Sequence, residues 1–266
     1  MQGEAHTRKK TWIDNIAKTG LIAKGLVYLI LGTLAFMAAF ELGGQTDTDT
    51  NRSGVFNFIK DAPGGMVLLL LLSVGLLCYS LWRGVQVFAH NKELKWPKRL
   101  RYLFSGFAYL SVAITAIQIT LHNYTEKKDQ NRALAARLME MTYGQWLVGA
   151  AALLIAGVGI YQIWYGLSEK YRKHVQQLSK QAKYGFLLFS GKVGYTARGV
   201  VWLILAYLLL QAALHANAAE AGDSGKAFLF IEHQTFGSYM LGVIGLGLAA
   251  YGFFNFIRAR YETFQT

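Results

Sequence analysis

Gly20-Leu-Ile-Ala-Lys24-Gly25-Leu-Val27-Tyr28 and Gly194-Tyr-Thr-Ala-Arg198-Gly199-Val-Val201-Trp202 are one pattern written twice, 174 residues apart. Each sets a glycine, a basic residue joined to a second glycine, and an aromatic at the head of an apolar run. A degenerate copy, Ser105-Gly106-x2-Tyr109, keeps the glycine and the aromatic and carries serine in the basic position. Internal repetition organises a chain before any motif does. A partner pattern follows each copy: Gly75-x3-Tyr79-x2-Trp82-x-Gly84, Gly157-x3-Tyr161-x2-Trp164-x-Gly166 and, more loosely, Gly247-x3-Tyr251-x2-Phe254. The distance from first to second aromatic is nearly constant, at 51, 52 and 49 residues. Between the paired runs lie glycine-led turns at Pro63-Gly64, Tyr143-Gly144 and Phe236-Gly237, each preceded by a short amphipathic stretch at 55–59, 133–139 and 227–231.

Working outward, six apolar windows cover 21–40, 64–82, 102–121, 141–168, 199–219 and 233–257. Each approaches or exceeds the ~20 residues a helix needs to cross a ~30 Å hydrocarbon core. Lys24 interrupts the first, and the other five contain no Asp, Glu, Lys or Arg. A segment crossing lipid must satisfy its own backbone hydrogen bonds, and unbroken runs of this length are not the short alternating segments of a β-barrel. The expected fold is therefore all-α: an integral membrane bundle of six transmembrane helices. Pro63 and Pro97 lie outside the windows, so no proline breaks a helix from within.

The net charge of +12 is distributed by side. Segments 1–24, 83–101, 169–198 and 258–266 hold 20 basic residues against five acidic ones, whereas 41–63, 123–141 and 220–232 hold seven against ten. This asymmetry places the first set, with both termini, in the cytoplasm of a bacterial inner (plasma) membrane. It also accounts for the charge without nucleic acid, and a basic face favours anionic lipid headgroups. Residues 8–10 precede an apolar run, but that run is of full spanning length and lacks a clear small-x-small cleavage site, so it reads as a retained helix. Cys78, the only cysteine, sits inside a window as a small packing residue, with no intramolecular disulfide available.

Three hairpins entering from one side predict parallel repeats about a pseudo-threefold axis along the membrane normal. The repeats are expected at about 16–90, 99–168 and 189–258 within a single membrane domain spanning 1–266, and the amphipathic stretches are expected to cap the outer surface. The Gly-x3-Arg/Lys-Gly-x-Val-Tyr/Trp helix start, paired with a Gly-x3-Tyr second helix and repeated three times, resembles a bacterial membrane family catalogued as domain of unknown function 1206. The resemblance spans roughly residues 16 to 257 and implies the three-repeat, six-helix layout. It brings no activity, cofactor or catalytic residue. Ser105 departs from its pattern, against any role that needs three basic residues.

Lys24 and Arg198 are expected about one turn inside the cytoplasmic boundary, where long basic side chains snorkel to headgroups. Their functional reading is a lipid-headgroup or anion contact. Gly25, Gly106, Gly199, Gly242, Gly245 and Gly247 read as close helix packing. Tyr79, Tyr161 and Tyr251 are expected at one depth on the second helices. They would line a lumen or bind a ligand with Gln118 and Gln162 as polar neighbours, or bond locally to carbonyls and side chains such as Gln118. Glu41, His122 and His215 fall in register at the far end of the first helices, a weak set of divalent-metal ligands that His233 would join. His90, His174, Lys92, Lys95 and Lys173 read as solvated linkers.

No nucleophile elbow, P-loop, His-Glu-x2-His or Cys-x2-Cys pattern occurs. No carboxylate lies within a window, against a proton-coupled transporter. The expectation is a non-enzymatic structural or interaction module without a cofactor, binding membrane lipids or another membrane protein and no nucleic acid. The alternative is a small passive channel or carrier along the axis. A metal-dependent membrane enzyme ranks third.

Overall fold

The computed structural model describes residues 2–42, 55–56, 59–60, 64–88, 96–121, 130–141, 143–174, 184–222 and 224–262. The described chain is helical: α1 (Gln2–Ala39), α2 (Gly65–Phe88), α3 (Trp96–Thr120), α4 (Gln130–Met139), α5 (Gly144–Leu167), α6 (Tyr184–Leu214), α7 (Ser224–Glu232) and α8 (Gly237–Tyr261). Six contain spans long and apolar enough to cross a membrane: Asp14–Ala39, Gly65–Val87, Tyr102–Thr120, Gly144–Leu167, Gly185–Leu214 and Gly237–Tyr261. The protein is a multi-pass membrane protein. Two buried hydroxyls inside the spans turn back on their own helices, Ser73 to the Leu69 carbonyl at 2.8 Å and Thr120 to that of Ala116 at 2.8 Å.

Two boundaries differ from the sequence reading. The fifth span starts at Gly185 and the first at Asp14, because Arg198 and Lys18 cut the apolar windows short without ending the helices. Lys24 is therefore about 15 Å, and Arg198 about 20 Å, from the start of its span at 1.5 Å per residue. Both stand near the midpoint of their apolar spans, not one turn inside the end.

Helix neighbours run in the order α3, α2, α1, α8, α6, α5. Glycines make these contacts close. A Cβ on Gly25 would lie 2.9 Å from the Gly252 carbonyl oxygen, and one on Gly199 2.9 Å from that of Gly159. In the third such pair, Gly106 faces Ser80, whose hydroxyl donates to the Gly106 carbonyl at 2.9 Å. Gly25 and Gly199 thus perform one task, backbone approach without a side chain between, whereas a Cβ on Gly106 would make ordinary contact at 3.4 Å from the Arg83 Cβ. Gly20 and Gly194 do likewise inside their hairpins, each with its Cβ position 2.6 Å from the Cα of Tyr79 or Tyr251.

These pairings also set the register of the middle repeat. Ser80, Gly159 and Gly252 are equivalent by contact, so Val158, not Tyr161, matches Tyr79 and Tyr251. The two helices of the middle repeat, α3 and α5, form no extended contact along their described lengths. They end the row of neighbours, whereas the other two hairpins are packed along their length. The threefold expectation therefore describes the connectivity better than the packing.

The end opposite the termini carries the short caps. Val55, Phe56 and Ile59 are buried, as are Ala227, Phe228 and Ile231 of α7, while Ala135 of α4 packs with Ala212 and Ala221. Gly65, Gly144 and Gly237 open the second helices against the carbonyls of Ile59, Leu138 and Glu232, positions where a side chain has no room.

Candidate functional site

Lys24 projects into the centre of the bundle, where only 3 % of it is exposed. Its ammonium lies 5.1, 5.0 and 5.2 Å from the ring centroids of Tyr79, Tyr109 and Tyr251, drawn from α2, α3 and α8. The row of helices must curl around it for α1 to meet all three. Tyrosine faces attract a cation through their quadrupoles, an effect worth about 2 kcal/mol or more where water is excluded. The Tyr79 hydroxyl accepts from Lys24 Nζ at 3.4 Å, from Arg83 Nε at 3.1 Å and from Arg83 Nη2 at 2.6 Å. Arg83 completes its bonding with Gln86 Oε1 at 2.7 Å and stacks on Trp82 and Tyr102.

Arg198 enters the same interior from α6. Its Nη1 donates to the Tyr251 hydroxyl at 2.6 Å, and the guanidinium sits 5.1 and 5.0 Å from the Tyr28 and Tyr251 ring centroids. The rings continue edge to face, Tyr28 on Tyr251 at 4.9 Å, Tyr79 on Tyr109 at 4.6 Å and Tyr195 on Tyr251 at 5.1 Å. Arg198 Nε and the Tyr109 hydroxyl are buried without a hydrogen-bond partner. A cavity of about 20 Å³ adjoins Arg198, walled by Tyr28, Trp202, Ser224 and Phe228 among others.

Among the described residues no carboxylate forms an ion pair with Lys24, Arg83 or Arg198. A different cation shows what compensation looks like: Arg258 of α8 is clasped by Glu262 through Nε at 2.8 Å and Nη2 at 3.0 Å. Burying an ion costs several kcal/mol even after relaxation, and a neutral phenol returns part of that. The centre is therefore electropositive and under-compensated.

The residues expected from sequence separate into those brought together and those kept apart. Lys24, Arg198, Tyr79 and Tyr251 meet, but the two cations do not snorkel. Tyr161 is 40 % exposed on the outside of α5, beside Trp164 and Tyr165, so it joins no ring of equivalent hydroxyls. Gln118 is exposed on α3. Gln162 is buried with its Oε1 unpartnered.

At the far end His122 lies outside the described residues, as does His90. His215 is held by Glu220, with Nδ1 at 2.9 and 3.1 Å from the carboxylate oxygens, and Glu41 is exposed. Among the described residues no His, Cys, Asp and Glu side chains converge as metal ligands. The sequence pattern assigns no role to Arg83, Tyr195 or Arg258, and Tyr109 enters it only as the aromatic of the middle repeat. Arg83 and Arg258 follow Tyr79 and Tyr251 by four and seven residues, a same-face helical spacing that marks them in the sequence.

Comparison with known proteins agrees with this layout. An uncharacterized protein of Bacillus subtilis (strain 168), YxxB, is 25% identical over 260 residues, covering 95% of this chain and 92% of its own. No solved structure matches. The family described as Domain of Unknown Function (DUF1206) matches three times, over residues 19–90, 100–169 and 193–262. With its length so largely accounted for by three copies of that unit, the chain belongs to the DUF1206 family.

Proposed function

We propose that this protein is a non-enzymatic interaction module of the bacterial inner (plasma) membrane, with both termini cytoplasmic, that binds the acidic group of a membrane amphiphile at its central cation–tyrosine cluster. The observation that carries this reading is the meeting of a buried Lys24 and a partly buried Arg198 inside the bundle, with no ion-paired carboxylate among the described residues. Intramembrane cations are costly and mark binding or transport paths. A bound acid would supply the missing charge and accept from the unpartnered Arg198 Nε and Tyr109 hydroxyl. The excess of basic residues on the segments bearing the termini supports the orientation. A passive channel is the weaker reading, since two cations and a cluster of tyrosine rings fill the level it would have to cross.

The test is native mass spectrometry of protein in neutral maltoside, offered phosphatidylglycerol, phosphatidic acid and oleate against phosphatidylcholine. Retention of at least one acidic member, lost in the Lys24→Gln, Arg198→Gln double variant, supports the reading. Equal retention of neutral and acidic members, or none, overturns it.

A further inference from the structure

We infer that the acidic group is seated between Arg198 and Ser224, in the cavity beneath α7, and that it arrives from the end of the bundle opposite the termini, with Phe228 as the plug that moves to admit it. This rests on the anion-binding reading above and assigns its seat, its side of entry and its gate.

The cavity lies to one side of the cluster. On α6 it runs from Arg198 along Val201 and Leu205, about one and two turns nearer the Leu214 end of the span. On α1 its walls are Tyr28 and Leu31, beyond Lys24 in the same direction, and α8, which runs the opposite way, adds Leu248 about one turn before Tyr251. Ser224 and Phe228 of α7 complete it, so the space extends from Arg198 toward the end that carries the caps. Arg198 is the cation that meets this space. Its Nη1 is committed to the Tyr251 hydroxyl and its Nε is closed off, yet the side chain as a whole is only partly buried, which leaves Nη2 for an incoming acid. Lys24, almost wholly buried, lines no part of the cavity.

Wall chemistry and size identify the ligand class and the gate. One cation and one serine hydroxyl, set in a lining made chiefly of aromatic and aliphatic side chains, suit an acid attached to an apolar body. The space is about 20 Å³, and ~10–15 Å³ on this measure takes one water, so a carboxylate or phosphate enters after a wall withdraws. Phe228 is the wall able to do so, because α1, α6 and α8 are long spans packed on one another, whereas α7 is nine residues long. The repeats supply a comparison. Nine residues before the glycine that opens each second helix stand Phe56, Ala135 and Phe228, all buried. The first repeat pairs its phenylalanine with a cation that is sealed, and the third pairs the same residue with a cation that lines a cavity. That difference singles out the third repeat as the one that admits a ligand.

The experiment uses the full protein in right-side-out and inside-out membrane vesicles, with Ser224→Cys in a Cys78→Ala background as the probe. Two membrane-impermeant thiosulfonates of like size, one carrying a sulfonate and one a trimethylammonium group, are compared, each rate divided by its rate with 2-mercaptoethanol. After that correction the sulfonate is expected to react several-fold faster than the cation, and from the side opposite the termini. The preference should persist in Arg198→Lys and vanish in Arg198→Gln. Oleate or dioctanoyl phosphatidic acid should slow the sulfonate several-fold, whereas dioctanoyl phosphatidylcholine and inorganic phosphate at equal concentration should not. Phe228→Met, similar in volume but more flexible and so expected to fold, should speed the reaction several-fold. Equal corrected rates for the two reagents would overturn the seat, and reaction from the side of the termini would overturn the side of entry. An unchanged rate in Phe228→Met would overturn the plug, and slowing by inorganic phosphate the apolar body. Failure of both acidic amphiphiles to slow the reagent, while native mass spectrometry still shows charge-dependent retention, would overturn the seat and leave the acid-binding reading standing. Absence of that retention would overturn the reading itself.

Discussion

Replacing Lys24 by methionine separates a structural lysine from a ligand-binding one. The ammonium makes a single 3.4 Å hydrogen bond and three ring contacts at 5.0–5.2 Å. At about 0.5–2 kcal/mol per contact those rings offset only part of a several-kcal/mol desolvation penalty. Exchanging an under-compensated buried ion for an apolar side chain of like volume is commonly neutral or stabilising by 1–4 kcal/mol. Lys24→Met is therefore expected to match or exceed the wild type by about 1–3 kcal/mol in neutral detergent without ligand. With oleate near 100 times its dissociation constant, the wild type should gain about 2.7 kcal/mol by mass action, and the variant less than about 1 kcal/mol. Thermal unfolding in neutral maltoside, followed by circular dichroism with and without oleate, reads both shifts. A variant less stable than the wild type without oleate, yet showing the full oleate gain, would refute the reasoning. It would mean that the tyrosine cage satisfies the charge unaided.

Gly252→Ala should destabilise by about 1–3 kcal/mol, because its Cβ would meet the Leu29 nitrogen at 2.5 Å and the Gly25 carbonyl oxygen at 2.6 Å and backbone cannot yield. Gly157→Ala, with open space around it, should instead stabilise by about 0.5–1 kcal/mol through helix propensity; the same unfolding assay compares them. Glu262→Gln leaves the Arg258 guanidinium buried without its counter-charge and is expected to cost about 3–5 kcal/mol, visible as loss of folded protein on size exclusion. His215→Ala removes an exposed pair with Glu220 and should shift stability by no more than about 1 kcal/mol, with no change in zinc titration calorimetry.

Hairpin number, turn positions and the purpose of Gly25 and Gly199 were legible because close helix approach demands glycine at fixed places. The extent of the spans was harder to read. Lys18 and Arg198 look like the end of an apolar segment, since hydropathy averages over a window, while the helix tolerates a cation and runs on. That difference set Lys24 and Arg198 one turn from a boundary and made anchors of one buried and one partly buried cation. The middle repeat misled in another way. Gly157 and Tyr161 copy the spacing of Gly75 and Tyr79, yet α5 packs on α6 through Gly159, three residues out of step. Only a pairwise contact fixes such a register, and contacts between helices distant in sequence leave no trace in local pattern.

The pairing of α1 with α8 joins two spans made far apart in time, since Gly25 and Gly252 are separated by about 230 residues. At 5–20 residues per second, synthesis of the intervening chain occupies roughly 10–50 s. Through that interval the nascent helix holds a lysine in the bilayer, at an insertion cost of about 2.5–3.5 kcal/mol, with its aromatic companions Tyr79 and Tyr109 arriving in turn and Tyr251 absent to the end. Tyr79 belongs to the same hairpin and arrives first, so its hydroxyl can chaperone the ammonium from the moment that hairpin leaves the translocon. Loss of that one phenol should then be felt in biogenesis, as slower or inverted insertion, before it is felt in the finished protein.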